Sequence, residues 1–227
     1  KSLEYRKLSL GSSVSKFEEV ICELENAQHG IATTSGTSAL HLVGTALEIS
    51  KGDEVIVPNR TWIATAHAFR SLGAEIKVAS VSEKNMLIDL EDIKRLINAK
   101  TKAIIAVSLN GRNVISKELI EIAKKNDIWL VEDAAQGVLA PRPYDLIKSN
   151  FDKYCRTYSF SMAKMITTGQ GGMILTNCEN FSNELRSRRT HGIENVTNVN
   201  KWERLGLNYR MSDVLASIGI NQVKRLS

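Results

Sequence analysis

The run Gly52–Val81, "GDEVIVPNRTWIATAHAFRSLGAEIKVASV", decides the fold. Its two flanks, Asp53 to Pro58 and Glu75 to Val81, are short β-branched runs that read as buried strands. Between them "TAHAFRSLG" has the spacing of an amphipathic helix, with Gly73 as its stop. Two strands joined through a helix pair in parallel, because a crossover carries the chain back to its starting edge. The same alternation extends outward. "KAIIAVSL" (Lys102 to Leu109) and "DIWLVED" (Asp127 to Asp133) read as further strands, and "SALHLVGTALEIS", "LEDIKRLIN" and "SKELIEIAKKND" as helices, with Ser38 and Ser116 as expected N-caps. The fold class predicted is α/β, a mainly parallel central sheet flanked by helices. Sheets of this kind bind ligands at the carboxyl ends of their strands, so the chemistry is sought there.

The rest of the chain narrows the function classes. Its 227 residues are enough for a large core, and no repeat or Pro/Gly-rich linker marks an internal boundary. The chain starts at Lys1 and stops at Ser227 inside a helical pattern, so a fragment or a trimmed chain is expected. No apolar run reaches the roughly 20 residues of a membrane-spanning helix, and no export signal is read. Cys22, Cys155 and Cys178 are odd in number and far apart, which argues against a disulfide framework or a metal site and suits a reducing, cytoplasmic setting. The net charge of +5 is scattered except at Arg186, Arg188 and Arg189, read as a solvated helix face. Nucleic acid is not an expected partner.

Four strand ends carry candidate chemistry. "LVED" leads from a buried strand into Asp133 and Gln136; a carboxylate there either caps the next segment or meets a cation such as a protonated pyridine. "TTSGTSALHLV" sets Gly36, Thr37 and Ser38 between a strand-like run and a helix, a turn suited to an anion, although such turns are common. Trp62 follows "DEVIVP", as a stacking ring or as packing. "TYSFSMAKMITTGQGGM" (Thr157 to Met173) sets Lys164 before a loop with glycines at 169, 171 and 172. Lys164 has three readings: the lysine of an S-x-x-K hydrolase with Ser161, an amine that carries a carbonyl cofactor, or a snorkelling surface residue. The hydrolase also needs S-D-N and K-T-G segments, and neither occurs. Together, an amine, a pyridine partner, a stacking ring and a phosphate turn are the parts a pyridoxal phosphate enzyme requires.

The ordered segments "SGTSALHL", "GDEVIVPNRTWIATAHA", "EDAAQG", "YSFSMAKMITTGQGGM", "RTHG" and "GLNYRMSDVLASIGINQV" resemble the DegT/DnrJ/EryC1/StrS family of sugar aminotransferases. The resemblance runs from about Phe17 to Leu226 and implies a fold-type I pyridoxal 5′-phosphate enzyme, with residues 1–227 as its cofactor-binding large domain, residues 1–16 as an N-terminal segment, and the family's C-terminal small domain lying outside this chain. It implies that Lys164 forms the Schiff base and that Asp133 pairs with the pyridine nitrogen. Gln136 would sit near the phenolic oxygen, Trp62 would cover the ring, and Gly36, Thr37, Ser38 and Ser159 would hold the phosphate. Asn208 would reach the phosphate in the neighbouring subunit of a homodimer. His191 and Arg210 are weaker candidates for substrate anions, with helix-end packing as the alternative.

The reaction so implied moves an amino group from glutamate to the keto group of a nucleotide-linked 6-deoxy sugar, for surface polysaccharide or glycoconjugate synthesis. Lys164 speaks against the branch of the family that removes a hydroxyl and carries histidine there. An aromatising relative that makes an aminobenzoate, or a non-catalytic dimeric binding protein, stays open at this level. Gln170 replaces the family's commoner glutamate, a change expected to lie outside the core chemistry. The segment Val138 to Arg156 departs from the family's usual pattern and leaves the sugar undetermined.

Overall fold

The computed structural model describes residues 8–140, 151–193, 202 and 204–226. The helices are α1 (Ser12–Glu25), α2 (Gly36–Ala46), α3 (Ala64–Arg70), α4 (Leu90–Leu96), α5 (Lys117–Lys125), α6 (Glu179–Arg189) and α7 (Asp213–Val223). The strands are β1 (His29–Thr33), β2 (Glu54–Pro58), β3 (Glu75–Ala79), β4 (Thr101–Val107), β5 (Trp129–Asp133), β6 (Tyr154–Ser159) and β7 (Gly172–Thr176). They form one seven-stranded sheet in the order β1-β7-β6-β5-β4-β2-β3. β2 pairs in parallel with β3 and β4, and β4-β5-β6 continue in parallel. β7 runs antiparallel to both β1 and β6. The sheet is therefore mixed but mainly parallel, as the strand–helix alternation predicts.

Two cores sandwich the sheet. On one face Phe69 of α3, Leu42 and Val43 of α2 and Leu185 of α6 pack on Val55, Ile105 and Val131. On the other, Phe17 and Ile21 of α1, Ile93 of α4, Leu119 of α5 and Ala216 of α7 pack on Ile56, Ile104 and Leu130. Side chains alternate between faces along each strand, so Val131 and Asp133 share the α2/α3 face while Leu130 and Glu132 share the α1/α5 face. Full burial of one such Leu or Phe contributes about 1.5–3 kcal/mol, which is why the runs "VIV" and "IIAV" hold the centre.

Glu132 is fully buried, and a lone carboxylate there would be costly. It accepts hydrogen bonds from Arg156 Nε (2.8 Å), Ser108 Oγ (2.6 Å) and the Tyr154 hydroxyl. Arg156 also donates to Glu25 at the end of α1 (3.1 Å), so a polar chain ties that helix to β5 and β6. The cation required to bury an acid at this strand end is thus supplied by Arg156 for Glu132, and not for its neighbour Asp133.

Two expectations are corrected here. The N-cap of α2 is Ser35, whose side chain accepts the Ser38 amide, while the Ser38 hydroxyl accepts the Ser35 amide in a reciprocal box. The cap falls three residues earlier than expected because Gly36 and Thr37 already take helical geometry. The α6 arginines do not form a solvated face: Arg188 and Arg189 are buried. Glu18 of α1 draws in Arg189 (2.7 Å) and Arg186 (2.9 Å), and Glu48 binds Arg188 (2.9 Å). Ser116 does cap α5, accepting the Leu119 amide. The expected loop at 195–206 falls largely outside the described residues, as do residues 141–150 of the atypical segment.

Candidate active site

A cavity of about 400 Å³ opens at the carboxyl ends of β1, β2, β4, β5 and β6. Its wall contains Gly36, Thr37, Trp62, Asp133, Gln136, Ser159 and Lys164, contributed by four separate segments of the chain. Parallel neighbours deliver their carboxyl ends to one edge of the sheet, and that is what gathers residues so distant in sequence.

Close backbone packing shapes one end of this cavity. A Cβ on Gly36 would lie 2.8 Å from Ser159 Cβ, so glycine lets the first turn of α2 sit against the end of β6. A Cβ on Gly172 would lie 2.2 Å from the Ser35 carbonyl oxygen, so β7 also passes directly under that turn. The Gly36 and Thr37 amides in the first turn of α2 have no intrahelical acceptors, and with the hydroxyls of Thr37 and Ser159 they make a donor set for an anion, while the Ser38 amide is taken by Ser35 Oγ (3.0 Å). Ser38 belongs to the turn without lining the cavity; its hydroxyl lies 2.8 Å from Thr34 Oγ1 and is committed to the cap.

Asp133 sits at the floor. Its Oδ2 accepts the Thr65 hydroxyl (2.8 Å) and its Oδ1 accepts the Ala135 amide (3.1 Å). Burial raises its carboxyl above the usual range, and Glu132 adds to the rise; the two hydrogen bonds and the charge of Lys164 oppose it. A buried carboxylate whose hydrogen-bond partners among the described residues are neutral fits a cationic ring nitrogen. Gln136 turns its amide oxygen to the Asn110 amide (2.8 Å), which leaves its NH₂ group as the donor for an oxygen in the cavity.

Lys164 lies in an excursion between β6 and β7. Phe160 and Ile166 are buried beneath it, the Phe160 carbonyl accepts the Thr168 amide (2.9 Å), and Met162 and Met165 stay exposed on either side. The amine therefore sits on an anchored loop above the strand ends. Trp62 is 74% exposed while its neighbours close into α3, so its ring has a free face. An amine, a buried carboxylate, a free aromatic face and an anion turn, all in one cavity, fit pyridoxal 5′-phosphate.

The remaining candidates lie elsewhere. Asn208 is exposed and bridges Thr190 outside the cavity wall. Arg210 bridges Thr33, and exposed His191 donates its amide to the Leu207 carbonyl (2.9 Å). Within one chain these three do not join the site. Gln170 lines the cavity, as do Thr61 and Thr65.

A family model described as the DegT/DnrJ/EryC1/StrS aminotransferase family matches residues 1–227. The chain belongs to the DegT/DnrJ/EryC1/StrS aminotransferase family. It is 36% identical over 219 residues to a GDP-perosamine synthase of Caulobacter vibrioides, covering 96% of this chain and 58% of that protein. Among solved structures it superposes on an aminotransferase from Psychrobacter cryohalolentis with a TM-score of 0.89 at 28% identity, covering 99% of this chain and 60% of the other. The Bacillus subtilis protein NtdA, solved with the cofactor PMP bound, gives a TM-score of 0.89 at 29% identity, covering 99% and 50%. The chain thus spans about three-fifths of the length of the curated relative it matches. Pyridoxal phosphate is the cofactor of the DegT/DnrJ/EryC1/StrS family, in agreement with the donor set of the cavity. Among the described residues no helix is long and apolar enough to cross a membrane.

Proposed function

We propose that this protein transfers an amino group from glutamate to the keto group of a nucleotide-linked 6-deoxy sugar. The observation that carries the reading is the single cavity shared by Lys164, Asp133, Trp62 and the Gly36–Thr37 turn. The resemblance to a GDP-perosamine synthase supports a sugar over an aminobenzoate and makes a GDP-linked sugar the first substrate to try. The convergence of Lys164, Asp133, Gln136, Trp62, Thr37 and Ser159 on one cavity favours catalysis over a purely binding role. Residues 1–227 would serve as the cofactor-binding domain of a homodimeric, cytoplasmic enzyme that feeds surface polysaccharide or glycoconjugate synthesis.

When bound, pyridoxal phosphate supplies an aldehyde that exchanges amino groups and a ring that stores electrons. Lys164 Nζ would be the amine that holds the cofactor and, when free, would carry the proton taken from the amino acid's α-carbon. Asp133 would hold a proton on the ring nitrogen. Trp62 would orient the ring, Gln136 would donate to the phenolic oxygen, and Gly36, Thr37 and Ser159 would hold the phosphate, with Ser38 shaping their turn. Asn208 lies outside its own chain's cavity, in accord with a role in the partner's site. His191 and Arg210 would meet substrate anions, the sugar nucleotide's phosphates or the donor carboxylate.

The test is a screen of nucleotide-linked 3-keto and 4-keto 6-deoxysugars, GDP-linked ones first, with glutamate as donor. Formation of 2-oxoglutarate together with an aminated sugar is expected for at least one substrate. Cofactor-loaded protein that converts none of them, and does not turn over glutamate, contradicts the reading.

A further inference from the structure

Thr65 is buried on α3 and has one proton to give. Its Oγ1 lies 2.8 Å from Asp133 Oδ2 and 2.7 Å from Thr61 Oγ1. An ionised carboxylate only accepts, so while Asp133 carries its charge the Thr65 proton goes to Oδ2 and Thr65 in turn accepts from Thr61. The polarity of the chain Thr61 to Thr65 to Asp133 is then fixed. With Oδ1 tied to the Ala135 amide, both oxygens are held, and the carboxylate plane is set from the α3 side and from its own strand end.

We propose that Thr65 is a positioning residue that keeps Asp133 charged and aimed at the ring nitrogen of the cofactor. The inference rests on the pyridoxal phosphate reading of the cavity and adds to it a residue that acts only through Asp133. A protonated Asp133 reverses the chain: its own hydroxyl then donates to Thr65, and the group that should hold a proton on the ring has a proton of its own. Thr65 opposes that reversal because its hydroxyl stabilises the ionised form in a site that burial makes hostile to charge. The arrangement also sets the first turn of α3 over the end of β5 at hydroxyl distance.

The experiment compares the affinity of the purified protein for pyridoxal 5′-phosphate with that for the analogue in which carbon replaces the ring nitrogen. Asp133 acts on that nitrogen alone, so the ratio of the two dissociation constants isolates its contribution. Thr65→Val keeps the shape and removes the donor; it is expected to lower the preference for the natural cofactor by roughly 10- to 100-fold, the range for a buried hydrogen bond to a charged group. Thr65→Ser, which keeps the hydroxyl, restores it. If Thr65→Val weakens both ligands equally and leaves the ratio unchanged, Thr65 is structural and the proposal is overturned. Asp133→Asn separates the two levels of the argument. A preference lost in Asp133→Asn but intact in Thr65→Val defeats the role of Thr65 alone, whereas a preference that survives Asp133→Asn defeats the pyridine-partner reading and the proposal with it.

Discussion

At the scale of single residues the site works against stability. Asp133 is buried with its carboxyl raised above the ordinary range, so its folded pKa exceeds its unfolded one. The sign follows: the cofactor-free protein carries no penalty below the ordinary carboxylate range and loses stability as pH climbs through the raised folded value. Asp133→Asn is therefore expected to raise the melting temperature of cofactor-free protein at neutral and alkaline pH, with the advantage fading as the solution is acidified. A gain independent of pH would assign the effect to packing. Lys164, Trp62, Asp133 and Gln136 were legible in the sequence because each ends or follows a strand with a side chain of distinctive chemistry. Thr65 was not, since a threonine in a helix is ordinary until its partner, 68 residues away, is known.

At the scale of elements, β2 to β5 and helices α2 to α5 follow the hydrophobic periodicity within a few residues. What the pattern did not resolve was α1 and β7. β7 begins at Gly172, inside a run whose glycines suggest only a loop, and its strand character comes from pairing with β1 and β6. The close approach of the Ser35 carbonyl is what requires glycine there. Gly172→Ala places a methyl group where 2.2 Å separates it from that oxygen. The expected cost is about 1–3 kcal/mol of overpacking, together with weaker cofactor binding as the turn shifts; denaturant unfolding and cofactor titration measure the two. The polar tie among α1, β5 and β6 makes a separate prediction. Arg156→Met leaves Glu132 and Glu25 buried without their shared cation, and a loss of about 3–5 kcal/mol is expected in urea unfolding. A neutral result would mean that the carboxylates find other donors.

At the scale of the whole molecule, the mixed sheet brings one set of residues into a cavity and leaves Asn208, Arg210 and His191 outside it. The fold class was legible from the alternation of strands and helices. The exclusion of Asn208, Arg210 and His191 from the cavity was not, because no periodicity reports which strand ends and loops share an edge. If the site is shared in a homodimer, mixing inactive Lys164→Ala protein with impaired Asn208→Ala protein regenerates activity, since one site in each mixed dimer receives both native residues. No recovery after verified subunit exchange would confine each site to one chain. The central claim, that this fold presents Lys164 to pyridoxal phosphate, has a direct measurement: load the protein with the cofactor, reduce with borohydride, and locate the attached phosphopyridoxyl group by peptide mass spectrometry. One group per chain, on Lys164 and absent from Lys164→Ala, is the result predicted; no stable attachment, or attachment spread over surface lysines, would contradict it.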